Sequence, residues 1–101
     1  MVLSVEALTE SQIAEALQWL PEWAYEDKAI SRVETFPTYL QALDFVQRVG
    51  RNAEEHNHHP DIIMNYKKVT VRYWTHKIGG VSKGDVLMAG KVESIVAEMK
   101  K

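Results

Sequence analysis

Hydrophobic positions along the chain fall into two periods, and the alternation between them sets the order of elements. Ile13, Ala16, Leu17 and Leu20 recur at helical spacing, the three-to-four-residue period of an apolar helix face. Thr9 and Gln12 form a T-x-x-Q capping box ahead of them, with Leu8 and Ile13 placed to staple the entry. Pro21 is expected to stop this helix. From Trp23 onward the period shortens to two. Trp23 and Tyr25 alternate with polar neighbours, Asp27-Lys28 reads as a turn, and Ile30 to Phe36 is rich in β-branched residues. That pattern predicts a hairpin, although its alternation is imperfect.

Pro37 suits the first turn of the next helix. Tyr39, Leu43, Val46, Val49 and Ala53 follow at spacings of four, three, three and four, and Leu40 and Phe45 widen the stripe. This is the longest predicted helix, about five turns. It must end near His58, because His59 precedes Pro60 and that position disfavours the α region. Ile62 to Tyr66 and Lys68 to His76 read as two more strands, turning near Lys67-Lys68. In the second, Val69, Val71, Tyr73 and Thr75 share one face, and Thr70, Arg72, Trp74 and His76 share the other. Gly79-Gly80 closes that strand. Ser82 opens a last helix with Asp85 three residues on, and Met88, Val92, Ile95 and Met99 carry its stripe. The order α-β-β-α-β-β-α predicts an α+β fold, a four-stranded antiparallel sheet with three helices packed on one face.

Composition narrows the class. The chain has 101 residues, 46% hydrophobic and 26% charged, which suits a single globular domain spanning residues 1–101. Twelve Lys+Arg against fourteen Asp+Glu give a net charge of −2. With no basic stripe either, a module that grips nucleic-acid phosphates is excluded. Cysteine is absent, so there is no disulfide, thiolate nucleophile or Cys-ligated zinc. No apolar run approaches the ~20 residues of a membrane span. The opening MVLSVEALTESQ lacks the basic and apolar regions of a signal peptide. A cytoplasmic protein with no membrane or direct nucleic-acid partner is expected.

The candidate chemistry is concentrated in one stretch. All four histidines fall between positions 56 and 76, and the local text is Glu54-Glu55-His56-Asn57-His58-His59-Pro60. Histidine is the side chain suited to trading protons near neutral pH. Two adjacent histidines and a third from a strand end would put an acid and a base on opposite sides of a small molecule. Glu54 lies four residues before His58, which on a helix places both on one face, so the carboxylate would orient that ring. The plainer alternative is a polar helix end whose histidines complement the helix dipole. A metal site is a further reading, with nitrogens from His56, His58, His59 and His76 and an oxygen from Glu54 or Asp85. Against it, no H-E-x-x-H spacing is present, no H-x-H pair falls on a strand, and adjacent histidines at a helix end diverge. Asp85 is first a capping residue. Trp74, on the same predicted face as His76, is placed to border a flat ligand.

Glu54, three residues, His58-His59-Pro60, five residues, Tyr66, nine residues, His76, eight residues, Asp85: this pattern resembles the signature of the pterin-4a-carbinolamine dehydratases. Trp23, the Arg32-x-x-x-Phe36 segment and the long helix before Glu54 are also similar to family members, so the resemblance runs from about Leu8 to Ala97. Asn57 stands where animal members carry an acidic residue. The resemblance implies the same four-stranded, three-helix α+β fold. It also implies a reaction, loss of water from a 4a-hydroxytetrahydropterin to give the quinonoid dihydropterin, which recycles the tetrahydrobiopterin used by aromatic amino-acid hydroxylases. No metal or organic cofactor is implied. By carry-over, His58 and His76 are the general acids, His59 binds the ring and acts as base, and Glu54 and Asp85 orient the imidazoles. Asn57, Trp74, Thr75, His76 and Lys77 would contact the pterin alongside His58 and His59. A homo-oligomer, dimer or tetramer, is implied as well, and Leu40 and Phe45, off the main stripe of the long helix, would leave apolar surface for it. Two other roles known near this family are a dimerisation cofactor for a transcription factor and pterin processing in molybdenum-cofactor metabolism.

Overall fold

The computed structural model describes residues 6–101. Residues 1–5, on which part of the signal-peptide reading rests, lie outside the described residues. The elements are α1 (Glu10–Leu17), β1 (Ala24–Glu26), β2 (Ala29–Thr35), α2 (Tyr39–Glu55), β3 (Asp61–Asn65), β4 (Lys68–Tyr73) and α3 (Lys83–Met99), with a 3₁₀ turn at His76–Ile78. The order is the one the periodicity predicts. All strand pairs are antiparallel and the sheet order is β1-β2-β4-β3.

Local chemistry accounts for most boundaries. The Thr9/Gln12 capping box is complete, and the Ser82/Asp85 box opens α3 in the same way. α1 stops at Leu17, short of Pro21; Gln18 and Trp19 continue as turn, and the N–H groups of Trp19 and Leu20 bond the carbonyls of Ala16 and Leu17. α2 begins two residues later than Pro37 suggests. Thr38 is the cap, its hydroxyl accepting from the Gln41 N–H, and Pro37 lies before it, where its missing N–H costs nothing. The β3–β4 turn is centred on Tyr66-Lys67, with Tyr66 at φ 54°.

The register places side chains across the sheet. Ile30 faces Tyr73, Arg32 faces Val71 and Glu34 faces Val69. Ile62 and Met64 complete the same face from β3. Ile30, Val69, Val71 and Tyr73 are buried there against Phe45 and Val49 of α2 and Met88, Val92 and Val96 of α3. The buried line of α2 is Ala42, Phe45, Val49 and Ala53. Phe45 is fully inside, not on a surface free for a partner, whereas Leu40 is 74% exposed. Among the described residues no helix is long and apolar enough to cross a membrane.

Arg32 and Glu34 are the charged exceptions on this inner face, and Arg32 is only 5% exposed. Its Nε donates to Glu93 Oε2 and its Nη1 to Glu34 Oε1. Trp23 Nε1 donates to the same Glu93 oxygen at 2.9 Å, and Lys100 reaches Glu34 Oε2 at 3.2 Å. Trp23 is thus a packing residue that also closes a polar cluster.

Candidate active site

Two helix ends build the site. α2 stops in a Schellman turn: the His58 N–H bonds the Ala53 carbonyl at 3.0 Å and the Asn57 N–H bonds the Glu54 carbonyl at 3.2 Å. Asn57 takes the left-handed conformation this turn requires, φ 50°, which Asn tolerates better than most residues. The turn breaks the helical phase. His58 therefore leaves the face of Glu54, and His59 comes round to it instead: His59 Nε2 lies 2.8 Å from Glu54 Oε1.

His58 finds its carboxylate across the molecule. Its Nε2 lies 2.6 Å from Asp85 Oδ1. Asp85 is completely buried while His58 is 28% exposed. The other oxygen, Oδ2, accepts from the Ser82 N–H at 2.8 Å and from the Thr75 hydroxyl at 2.9 Å. Asp85 thus caps α3 with one oxygen and holds His58 with the other. A carboxylate saturated in this way accepts from His58, which places a proton on Nε2 and leaves Nδ1 as the nitrogen available to a bound molecule.

Tyr73 fixes the His58 backbone. Its hydroxyl donates to the His58 carbonyl at 3.2 Å, and the two rings lie 5.5 Å apart. Burial, aided by the charge of Asp85, pushes the Tyr73 hydroxyl up to about 12 from its ordinary value of 10.0. The neutral phenol is therefore the folded form. Stability from this group is complete below pH 10 and is lost as pH rises from 10 through 12. Tyr73→Phe should cost about 0.5–1.5 kcal/mol at neutral pH and flatten the alkaline fall in stability, as measured by urea unfolding at several pH values. An unchanged alkaline slope would contradict the assignment.

His58, Thr75, Ser82, Lys83 and Gly84 line a cleft of about 650 Å³ together with Glu6, Ala7, Leu8 and Gln12. His59 and His76 do not line it. His76 is not at a strand end as its alternation suggests. β4 ends at Tyr73, Thr75 bridges Gly80, and His76 opens the 3₁₀ turn that Gly79 closes at φ 62°. Its ring packs on Trp74, with centroids 3.8 Å apart. Thr75 joins the Asp85 network, so His76 follows directly in the chain, while Lys77 is exposed in the turn. The partners of Asp85 are His58, Thr75 and Ser82, not His76. Tyr73 and Ser82 are the members that sequence reasoning did not assign to the site. The inward register of Tyr73 and the capping position of Ser82 were their signals.

The four histidines go separate ways: His56 to the Asn52 carbonyl, His58 to Asp85, His59 to Glu54 and His76 to Trp74. Among the described residues no three His, Asp or Glu side chains gather to hold a metal ion. The arrangement suits proton transfer instead: a carboxylate-held imidazole lining a cleft, with two further imidazoles in the adjoining segments.

A protein from Chlorobaculum tepidum is 42% identical over 93 residues, covering 88% of this chain and 84% of its own length. One from Rhizorhabdus wittichii is 42% identical over 95 residues, covering 92% and 98%. Both carry the name "Putative pterin-4-alpha-carbinolamine dehydratase". A crystal structure from Brucella melitensis, described as a transcriptional coactivator/pterin dehydratase, superposes with a TM-score of 0.84 at 36% identity over 89% of this chain and 98% of that one. A pterin dehydratase-like protein described as a RuBisCO assembly factor of the α-carboxysome shares the fold alone, with a TM-score of 0.59 at 18% identity. The family model described as pterin 4 alpha carbinolamine dehydratase matches residues 6–95, and the chain belongs to that family.

Proposed function

We propose that this protein dehydrates a 4a-hydroxytetrahydropterin to the quinonoid dihydropterin by histidine general acid–base catalysis, as a single domain and without a metal. The observation that carries the reading is the contact of His58, which lines the cleft, with the buried Asp85 at 2.6 Å, in a chain of the dehydratase family. Hydroxide is a poor leaving group, so the C4a oxygen must gain a proton as its bond to C4a breaks. A ring-nitrogen lone pair forms the new double bond to C4a, a ring N–H proton is lost, and water departs. His58, steadied by Asp85, and His76 serve as acids. His59, paired with Glu54, takes the ring proton. Asn57, Thr75 and Lys77 flank the pterin, and Trp74 stands beside His76.

Cofactor recycling behind an aromatic amino-acid hydroxylase is the role this reaction fits. The exposed Leu40 and Leu43 of α2 suit a homo-oligomeric contact, and the family member from Brucella is described as a coactivator as well. A purely protein-binding role has no need of the buried Asp85 network.

Stopped-flow absorbance on a freshly generated 4a-hydroxytetrahydropterin tests the reading. The protein should accelerate dehydration equally with and without EDTA, and His58→Ala should lower kcat by about 10²–10⁴-fold. Activity that vanishes in EDTA and returns with zinc would overturn the acid–base account.

A further inference from the structure

We propose that Trp74, anchored by Asp61 and Arg72, is a positioning residue that holds the His76 imidazole for proton transfer. The inference rests on the dehydratase reading and adds to it a role for Trp74, with Asp61 and Arg72, that the reading does not assign.

His76 needs a support. It is exposed and lies in a short 3₁₀ turn beyond the end of β4. An exposed side chain rotates freely on the ps–ns timescale, whereas a general acid must be held within about 0.5 Å of its productive place. The ring contact found for it is the Trp74 indole, at 3.8 Å between centroids and 31° between planes.

The indole is itself tied to the sheet. Trp74 Nε1 donates to Asp61 Oδ2 at 3.2 Å, and Arg72 Nη1 donates to the same oxygen at 3.1 Å. Asp61 and Arg72 are register partners of β3 and β4. The Arg72 guanidinium carbon stands 5.4 Å from the Trp74 ring centroid, and Arg72 Nη2 donates to the Asp27 carbonyl in the β1–β2 turn at 3.1 Å. A continuous set of contacts thus runs from two strands and a turn through the indole to His76. An aromatic face attracts a cation, so the stack accommodates the imidazolium that an acid must be. It also covers one face of the His76 ring. A pterin meets His76 by its edge or its other face, and the indole acts on the reaction through the histidine.

Two readouts separate positioning from a substrate wall. In NMR spectra of the full chain without substrate, the His76 ring protons should carry an indole ring-current shift. Trp74→Leu should abolish that shift and Trp74→Phe should keep part of it. In stopped-flow kinetics with a 4a-hydroxytetrahydropterin, Trp74→Leu should lower kcat on the order of 10–100-fold with KM within about twofold. Trp74→Phe should recover most of the loss. If Trp74→Leu does not fold, Asp61→Ala, which loosens the anchor, carries the same two readouts. His76 resonances identical in wild type and Trp74→Leu, or a raised KM with kcat intact, would overturn the proposal. In a wild type without dehydratase activity the ring-current result still decides whether Trp74 holds His76, so the two readings fail separately.

Discussion

Asp85→Asn is expected to lower kcat by about 10²–10⁴-fold while costing less than about 2 kcal/mol of stability. The asparagine carbonyl must take the place of Oδ2, because the Ser82 N–H and the Thr75 hydroxyl both donate there. The amide NH₂ then faces His58 Nε2, which must turn acceptor. The proton moves to Nδ1, and an imidazolium can form only by pressing Nε2–H against the amide hydrogens. Folding is little disturbed, because a cap acceptor survives at the start of α3. Asp85→Ala, by contrast, leaves buried donors without partners and should lose a further 1–3 kcal/mol or so. Stopped-flow kinetics beside urea unfolding distinguishes the two effects. An Asp85→Asn enzyme with normal kcat would show that the Nε2 contact does not govern the reaction.

The largest stability effect should come from Arg32→Ala, about 3–5 kcal/mol, the usual cost of removing one partner from a buried ion pair. A domain of this kind has roughly 5–15 kcal/mol in all. The guanidinium is 5% exposed and serves Glu93, Glu34 and, through Glu93, Trp23. Its loss leaves Glu34 of β2 and Glu93 of α3 without the arginine they share. Adding Glu93→Met to an Arg32→Met variant should restore part of the loss, since apolar replacement of a whole buried pair is often neutral. The cluster also has a pH signature. Burial opposes ionisation of Glu34, but bonds from Arg32 and Lys100 outweigh it and hold the carboxyl below its ordinary 4.5. Its stabilisation is present above that value and is lost as pH falls through the folded-state value. Denaturant unfolding of wild type and Glu34→Gln between pH 3 and 7 should converge toward the acid end. Parallel curves would contradict the pairing.

The same arginine explains the imperfect alternation of β2. A charged side chain occupies an inward position, and its partner Glu93 is 61 residues away, beyond the reach of any local pattern. Elsewhere period and capping chemistry were enough: the order of elements, both capping boxes and the Asp27-Lys28 turn are legible because each depends on residues within four positions. The phase of α2 was misread, because Phe45 lies on the true buried line with Ala42, Val49 and Ala53 while the bulky Tyr39 and Leu43 face outward. The pairings among the motif residues were not legible from their spacing. A helical count matches Glu54 with His58, and only the left-handed turn at Asn57 hands Glu54 to His59. His58 and Asp85 are 27 residues apart, and their meeting depends on how α3 docks against the end of α2. His76 read as strand because alternation continues through it, yet the Thr75–Gly80 bridge curls the chain into a turn.

The central claim is that His58 and Asp85 act as one unit in dehydration. A double-mutant cycle on the stopped-flow kcat of wild type, His58→Ala, Asp85→Asn and the double variant tests it most directly. Groups that act as a unit lose their effect together, so the double variant should fall no further than His58→Ala alone. Losses that multiply would mean that the two residues contribute independently, and the account built on their 2.6 Å contact would be wrong.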